Sequence, residues 1–329
     1  MLDCNHMKKI RVQKNFWATL PKPFFVLAPM ANVTDSVFRT LIAKYGKPDV
    51  MWTEFVSADG LISPGRKNLL HDLVFLDKER PIVAQLFTGH PEAMKKAAIL
   101  VKRSGFDGLD INMGCPDRAV EKQGGGAGMI KNPKAALEVI EAARKGSGLP
   151  ISVKTRIGYN KLDLEWIRLL LAQKLPVLTV HLRTRKEMSD VPAHWELMPE
   201  IVRLRDEISP ETLIIGNGDV VSLEDAKEKV KQYGCDGIMI GRGIFGSPWF
   251  FDPKSNVKAP EERLKILLEH TKLFEKTFCG KKDVKSFAVM KKHFKAYVSG
   301  WDGAKELRVK LMETNSAKEV AKVLKEYLK

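Results

Sequence analysis

Cys115 stands in the run Asn112-Met113-Gly114-Cys115-Pro116, and Gly124-Gly125-Gly126-Ala127-Gly128 follows closely. A thiol in a polar Gly/Pro loop is open to chemistry, whereas Cys235, on an apolar run, reads as a small buried hydrophobe. Lys154 interrupts another apolar run, and its ammonium is costly to bury unless a partner compensates it. His181 closes a further run and can donate to a ring or a phosphate. Gly216-Asn217-Gly218-Asp219 and Gly241-Arg242-Gly243 let backbone N–H groups approach an anion, and Arg242 adds a guanidinium. A flavin or a sugar phosphate satisfies that pattern equally well. A reduced flavin ring, negative near N1, would also give Lys154 its partner.

These residues close short runs rich in Val, Ile, Leu and Phe: Phe25–Ala28, Val50–Phe55, Ile82–Phe87, Leu109–Asn112, Ile151–Thr155, Val177–Leu182, Leu213–Ile215 and Gly237–Ile240. Several are apolar throughout, as parallel strands covered on both faces are. Their starts lie 24 to 42 residues apart, so each gap fits one crossover helix. Helical spacing fills Val37–Tyr45, Pro91–Ser104, Pro133–Lys145, Leu162–Gln173, Trp195–Ile208 and Ser222–Tyr233. The fold class is therefore α/β, a TIM (β/α)8 barrel over residues 21–253 after an N-terminal extension, residues 1–20. A doubly wound sheet fits less well, because the first turn, Ala28-Pro29-Met30-Ala31, has no glycine. The longest gap, 42 residues, contains the cysteine loop.

From residue 254 to 329 the pattern is purely helical, with a capping box at Ser316 and Glu319 opening the last helix. This small all-helical C-terminal domain carries 19 basic and 10 acidic residues, while residues 1–253 carry 36 and 30. It thus holds most of the formal charge of +15, which suggests a polyanionic partner. The four cysteines, Cys4, Cys115, Cys235 and Cys279, lie far apart without zinc spacing, so no structural metal is expected. No run approaches the roughly 18 apolar residues of a membrane span. No secretory signal is visible either, so a soluble, cytoplasmic protein is expected. Met7 offers a second possible start.

The ordered motifs resemble the tRNA-dihydrouridine synthase family. They are Ala28-Pro29-Met30-Ala31 with Val33-Thr34-Asp35 and Phe38-Arg39, Ala84-Gln85-Leu86, Asp110-Ile111-Asn112 through Gly114-Cys115-Pro116, and Lys154 with Arg156 and Gly158. His181 with Arg183-Thr184, Asn217-Gly218-Asp219, and Gly241-Arg242 leading to Gly246 and Pro248-Trp249 complete the set. The resemblance implies an FMN enzyme that uses NADPH to reduce the C5–C6 bond of particular uridines in tRNA. It implies that Pro29, Met30, Ala31 and Gln85 line the flavin and that Lys154 and His181 contact its ring or side chain. Asn217, Gly218, Asp219, Gly241 and Arg242 would hold its phosphate end. Cys115 would protonate C5 after hydride reaches C6 from the reduced flavin. For that role it must be a thiol and not a thiolate.

The target base must leave its stack, and phosphate contacts offset that cost. Asn112, Arg156 and Arg183 at the barrel mouth, with Lys291, Lys292, Lys295 and Arg308 in the helical domain, are the expected RNA contacts; Lys305 and Lys310 are further candidates. A monomer with tRNA as partner is expected, without membrane or metal. Three departures from the family pattern are Asn32, where glycine is frequent, Leu182, where a small residue is frequent, and Ala119, where lysine is. Two rivals stand beside this reading: an FMN barrel enzyme acting on a small pyrimidine, resembling dihydroorotate dehydrogenase, and a non-catalytic RNA-binding protein.

Overall fold

The computed structural model describes residues 15–254, 258–280 and 284–328. Cys4 and Met7 lie outside the described residues. The apolar runs form eight parallel strands: β1 (Phe24–Leu27), β2 (Met51–Ser57), β3 (Ile82–Phe87), β4 (Gly108–Met113), β5 (Ile151–Arg156), β6 (Val177–His181), β7 (Leu213–Asn217) and β8 (Gly237–Ile240). They pair in the order β1-β8-β7-β6-β5-β4-β3-β2. A parallel bridge between Val26 and Val50, with the Leu27 N–H on the Val50 carbonyl at 3.1 Å, joins the first strand to the second and closes the ring.

Helices α1 (Ser36–Tyr45), α2 (Ala58–Leu61), α3 (Pro91–Arg103), α4 (Arg118–Lys122), α5 (Pro133–Ser147), α6 (Leu164–Leu171), α7 (Met198–Ile208) and α8 (Leu223–Tyr233) belong to the barrel. Two apolar layers result, because each strand presents side chains alternately inward and outward. Inside, Phe24, Val26, Trp52, Val83, Val177, Ile215 and Met239 fill the ring. Trp17, on the short turn Phe16–Thr19, packs on Phe24 and Trp52 with ring centroids 6.2 and 5.7 Å away and covers the end where the strands begin. Outside, Leu27, Ile82, Leu109 and Val153 meet Phe38, Ile140, Leu170 and Leu204 of the surrounding helices.

The last part of the chain is α9 (Pro260–Phe278), α10 (Met290–Tyr297), α11 (Ala304–Glu313) and α12 (Ala317–Tyr327). Leu267, Phe274, Phe294, Tyr297, Leu307, Leu311 and Val320 form its core, which takes in Val37 of α1 and Trp249 after β8. Gly246 shows how tightly the two parts meet. Its φ is +68°, and a Cβ there would lie 2.5 Å from the Ala296 backbone. Lys44 pairs with Glu269 at 2.7 Å, and the buried Lys285 pairs with the buried Glu54 at 2.5 Å. Among the described residues no helix is long and apolar enough to cross a membrane.

The strands fall within two residues of the expected bounds at each end. One expectation is corrected: the gap between β2 and β3 holds no full crossover helix. It is covered by α2 and by three short 3-10 turns at Pro64–Asn68, Leu70–Leu73 and Asp77–Glu79. The fully buried ion pair of Arg39 with Glu79 at 2.7 Å ties this irregular path to α1. Trp195–Leu197 is likewise a 3-10 turn leading into α7, and α11 was not anticipated.

Candidate active site at the barrel mouth

A cavity of about 290 Å³ opens where the strands end. Of the residues expected at a cofactor, Pro29, Met30, Lys154, His181, Asn217, Gly218, Asp219, Gly241 and Arg242 line it. Arg156, Arg183 and Pro116, the residue after the cysteine, line it too. Ala31 instead borders a neighbouring cavity of about 340 Å³, together with Asn32, Glu54, Asp72 and Lys285. Gln85 lies deeper and is fully buried.

Lys154 projects inward from β5, and no described residue gives its ammonium a hydrogen bond or an ion pair. Burial, then the nearby Arg156, pushes its pKa down to about 8, with Asp110 and Cys115 opposing. His181 stays neutral well below the ordinary histidine range because it is buried among Lys154, Arg156, Arg183 and Arg242. A guanidinium can only donate, so the 3.2 Å contact from Arg183 makes His181 Nε2 the acceptor and leaves its proton on Nδ1. Asp219 accepts from Arg183, from Arg242 at 2.9 Å and from the Ala193 N–H at 2.9 Å. Burial alone would raise its pKa, but these donors hold it below the usual carboxylate range. The carboxylate therefore orients two guanidinium groups at the rim. Gly218, at φ +135°, could carry no side chain: a Cβ would sit 2.7 Å from Ala193 Cβ and 3.4 Å from the His181 ring.

The cysteine loop is held from below and from both sides. Asn112 is buried, and its Oδ1 accepts from the Gly114 and Cys115 N–H groups at 3.1 and 2.9 Å. The Cys115 carbonyl accepts from the Ala127 N–H at 2.8 Å. Arg156 donates to the Gly114, Thr184 and Met188 carbonyls at 2.8, 2.9 and 3.0 Å, bracing the two loops against each other. Arg185, paired with Glu121 at 2.8 Å, also reaches the Pro116 carbonyl. Cys115 is half-buried, and burial pushes its thiol above the ordinary value although Lys154 and Arg156 oppose. At neutral pH it is a thiol.

The expected RNA contacts thus divide. Asn112, Arg156 and Arg183 are buried at the mouth, where their side chains bond protein groups. Lys292 and Lys295 of α10 are exposed, as are Lys305 and Lys310 of α11, while Lys291 and Arg308 are half-buried. Arg308 donates to the Val298 carbonyl at 2.9 Å. Of the departures, Asn32 has φ +54°, a conformation that asparagine tolerates and glycine adopts freely, and its N–H donates to Glu54. Leu182 is fully buried, and Ala119 donates its N–H to Asp117 at 2.8 Å in the first turn of α4. Asp110, below the cysteine loop, was quoted from the sequence only as part of a motif and given no role, and the pairing of Glu54 with Lys285 was not foreseen. A lone acid within the apolar run of β4 was a further signal for Asp110.

The sequence matches the family model of dihydrouridine synthase over residues 26–329. It is 44% identical over 317 residues to the probable tRNA-dihydrouridine synthase 2 of Bacillus subtilis (strain 168), covering 95% of this chain and 97% of that one. It is 43% identical to the probable tRNA-dihydrouridine synthase of Staphylococcus aureus (strain COL), covering 96% of each. Among solved structures, a 2-naphthoyl-CoA reductase complex aligns with a TM-score of 0.52 at 11% identity, covering 69% of this chain and 49% of that one. A variant of NCR from Zymomonas mobilis gives 0.50 at 17% identity, with 73% and 94% covered. Those likenesses concern the barrel fold, whereas the family match spans both the barrel and the cationic helices: this chain belongs to the dihydrouridine synthase family.

Proposed function

We propose that this protein reduces the C5–C6 bond of uridines in tRNA, with NADPH as reductant, FMN seated in the barrel-mouth cavity and Cys115 as the proton donor. The reading rests on one observation: the half-buried Lys154, whose ammonium bonds no described residue, shares a cavity with a glycine-floored, arginine-rimmed cradle, and the cysteine loop borders that cavity. A flat cofactor with an anionic tail fits those residues. Lys154 and His181 would meet its ring or side chain, Pro29 and Met30 would line it, and Asn217–Asp219 with Gly241 and Arg242 would hold the phosphate end. When bound, FMN supplies hydride to C6 of the uracil.

The protein's own part is proton delivery and positioning. Reduction at C6 leaves an electron pair at C5 conjugated to the carbonyl, and the Cys115 S–H bond breaks to give C5 its proton. The resulting thiolate lies beside Lys154 and Arg156, whose charges favour it. Arg156 keeps the loop in place through three carbonyls. Extruding the base costs a few kcal/mol, and lysines on α10 and α11 would offset this through phosphate contacts. One chain carries both the cavity and these helices, so the active unit in this reading is a monomer, working in the cytoplasm beside tRNA and NADPH.

The test is incubation of the FMN-loaded protein with NADPH and an unmodified tRNA transcript, followed by mass spectrometry of the nucleosides. The expected result is a uridine heavier by two hydrogens at defined positions. Oxidation of NADPH driven by free uracil or orotate, with the tRNA unchanged, would overturn the proposal in favour of a small-molecule reductase.

A further inference from the structure

The side chains beneath the cysteine loop form a directed chain. Asp110 on β4 is fully buried; its Oδ1 accepts from the Ser152 hydroxyl, and its Oδ2 accepts from Gln85 Nε2 at 2.6 Å. Gln85 Oε1 accepts in turn from Asn112 Nδ2 at 3.0 Å. Asn112 Oδ1 is thereby left to cap the Gly114 and Cys115 N–H groups. An ionised carboxylate only accepts and a backbone N–H only donates, so both amides between them are fixed in one direction. Turning either one over would oppose donor to donor somewhere along the line. Burial pushes the Asp110 pKa up to about 6, with Ser152, Gln85 and Lys154 opposing, so the acceptor-only form prevails at neutral pH.

We propose that Asp110 is a positioning residue: its carboxylate sets the direction of the Gln85–Asn112 chain and so presents the acceptor end of Asn112 to the loop that carries Cys115. The assignment rests on the reading of Cys115 as proton donor, although the hydrogen-bond direction itself does not. Ser152 supplies the discriminating variable, because its hydroxyl can donate or accept. In Asp110→Asn the introduced amide can still aim its oxygen at Gln85, provided its NH₂ finds the Ser152 oxygen. In Ser152→Ala the carboxylate still accepts from Gln85. Combining the two leaves the amide NH₂ without an acceptor unless it faces Gln85, which reverses the chain and uncaps the loop.

The experiment compares S152A, D110N and D110N/S152A in the FMN-loaded full-length protein. Two quantities are read: hydrogen exchange at the Gly114 and Cys115 amides, and kcat and KM for tRNA reduction. Each single variant is expected to stay within about threefold of the parent, and the double to lose about tenfold or more in kcat at unchanged KM, with faster exchange at both amides. Effects that simply multiply would overturn the proposal. Should the double variant not fold, Asn112→Asp gives a second route. With acids at both ends Gln85 can donate to only one, so N112D is expected to unfold at lower denaturant concentration, and adding D110N is expected to restore the midpoint. Failure of D110N to restore it would overturn the proposal as well. The exchange readout needs no turnover, so a protein inactive on tRNA would sink the functional reading while leaving the direction of the chain measurable.

Discussion

At the scale of single residues, the barrel mouth separates two groups whose protonation burial has shifted in ways that suit different tasks. The Cys115 thiol is raised and the Lys154 ammonium is lowered. Replacing Cys115 with Ala is expected to leave FMN absorbance and affinity unchanged while slowing reduction of tRNA by about 100-fold or more, the range for loss of a general acid. Single-turnover reoxidation of the prereduced enzyme by tRNA measures that step directly. Lys154 predicts a proton linkage. Its folded pKa lies below the unfolded value, so its contribution to stability is full above the ordinary lysine range and is lost as pH falls through about 8. An anionic ligand raises that pKa again. FMN binding near pH 8 is therefore expected to take up protons, seen as a dependence of calorimetric heat on buffer ionisation enthalpy, and Lys154→Met is expected to abolish the uptake.

At the scale of elements, the strands were legible because parallel strands covered on both faces are continuous apolar runs, and the cysteine and glycine loops were legible because polar Gly/Pro stretches interrupt them. The direction of the Asp110–Gln85–Asn112 chain was not, since it follows strand register between β3 and β4, which composition does not encode. Helix α11 escaped because only Ala304, Leu307 and Leu311 of its ten residues are buried, and charged side chains blur the period. The Lys285–Glu54 pair joins residues 231 apart and leaves no local trace. It sits on Asn32 through the Glu54 carboxylate, so it links the helical part to the loop after β1. Lys285→Met would strand Glu54 and Asp72 in a largely buried setting. A loss of about 3–5 kcal/mol in denaturant unfolding is expected, the range for removing one partner of a buried pair.

At the scale of the whole molecule, charge is divided as a nucleic-acid enzyme requires, with a nearly balanced barrel and a strongly basic helical part. Binding of tRNA is expected to weaken linearly in log Kd against log salt. Removing Lys292 and Lys295 together is expected to lower that slope by roughly two, without altering which uridine is chosen. A filter-binding titration across salt concentrations measures it, and an unchanged slope would remove these lysines from the interface.

The irregular path between β2 and β3 has an architectural consequence. His71 packs edge-on against Phe278 at 6.4 Å, and Asp72 reaches Lys285 at 3.3 Å, so α9 and the segment after it lie against the stretch where a crossover helix is lacking. What counts as an appendage by charge is, by geometry, part of the outer wall of the barrel. Chimeras that exchange tails between relatives would accordingly have to carry residues 58–81 along with the tail, since that stretch and its cover form one joint.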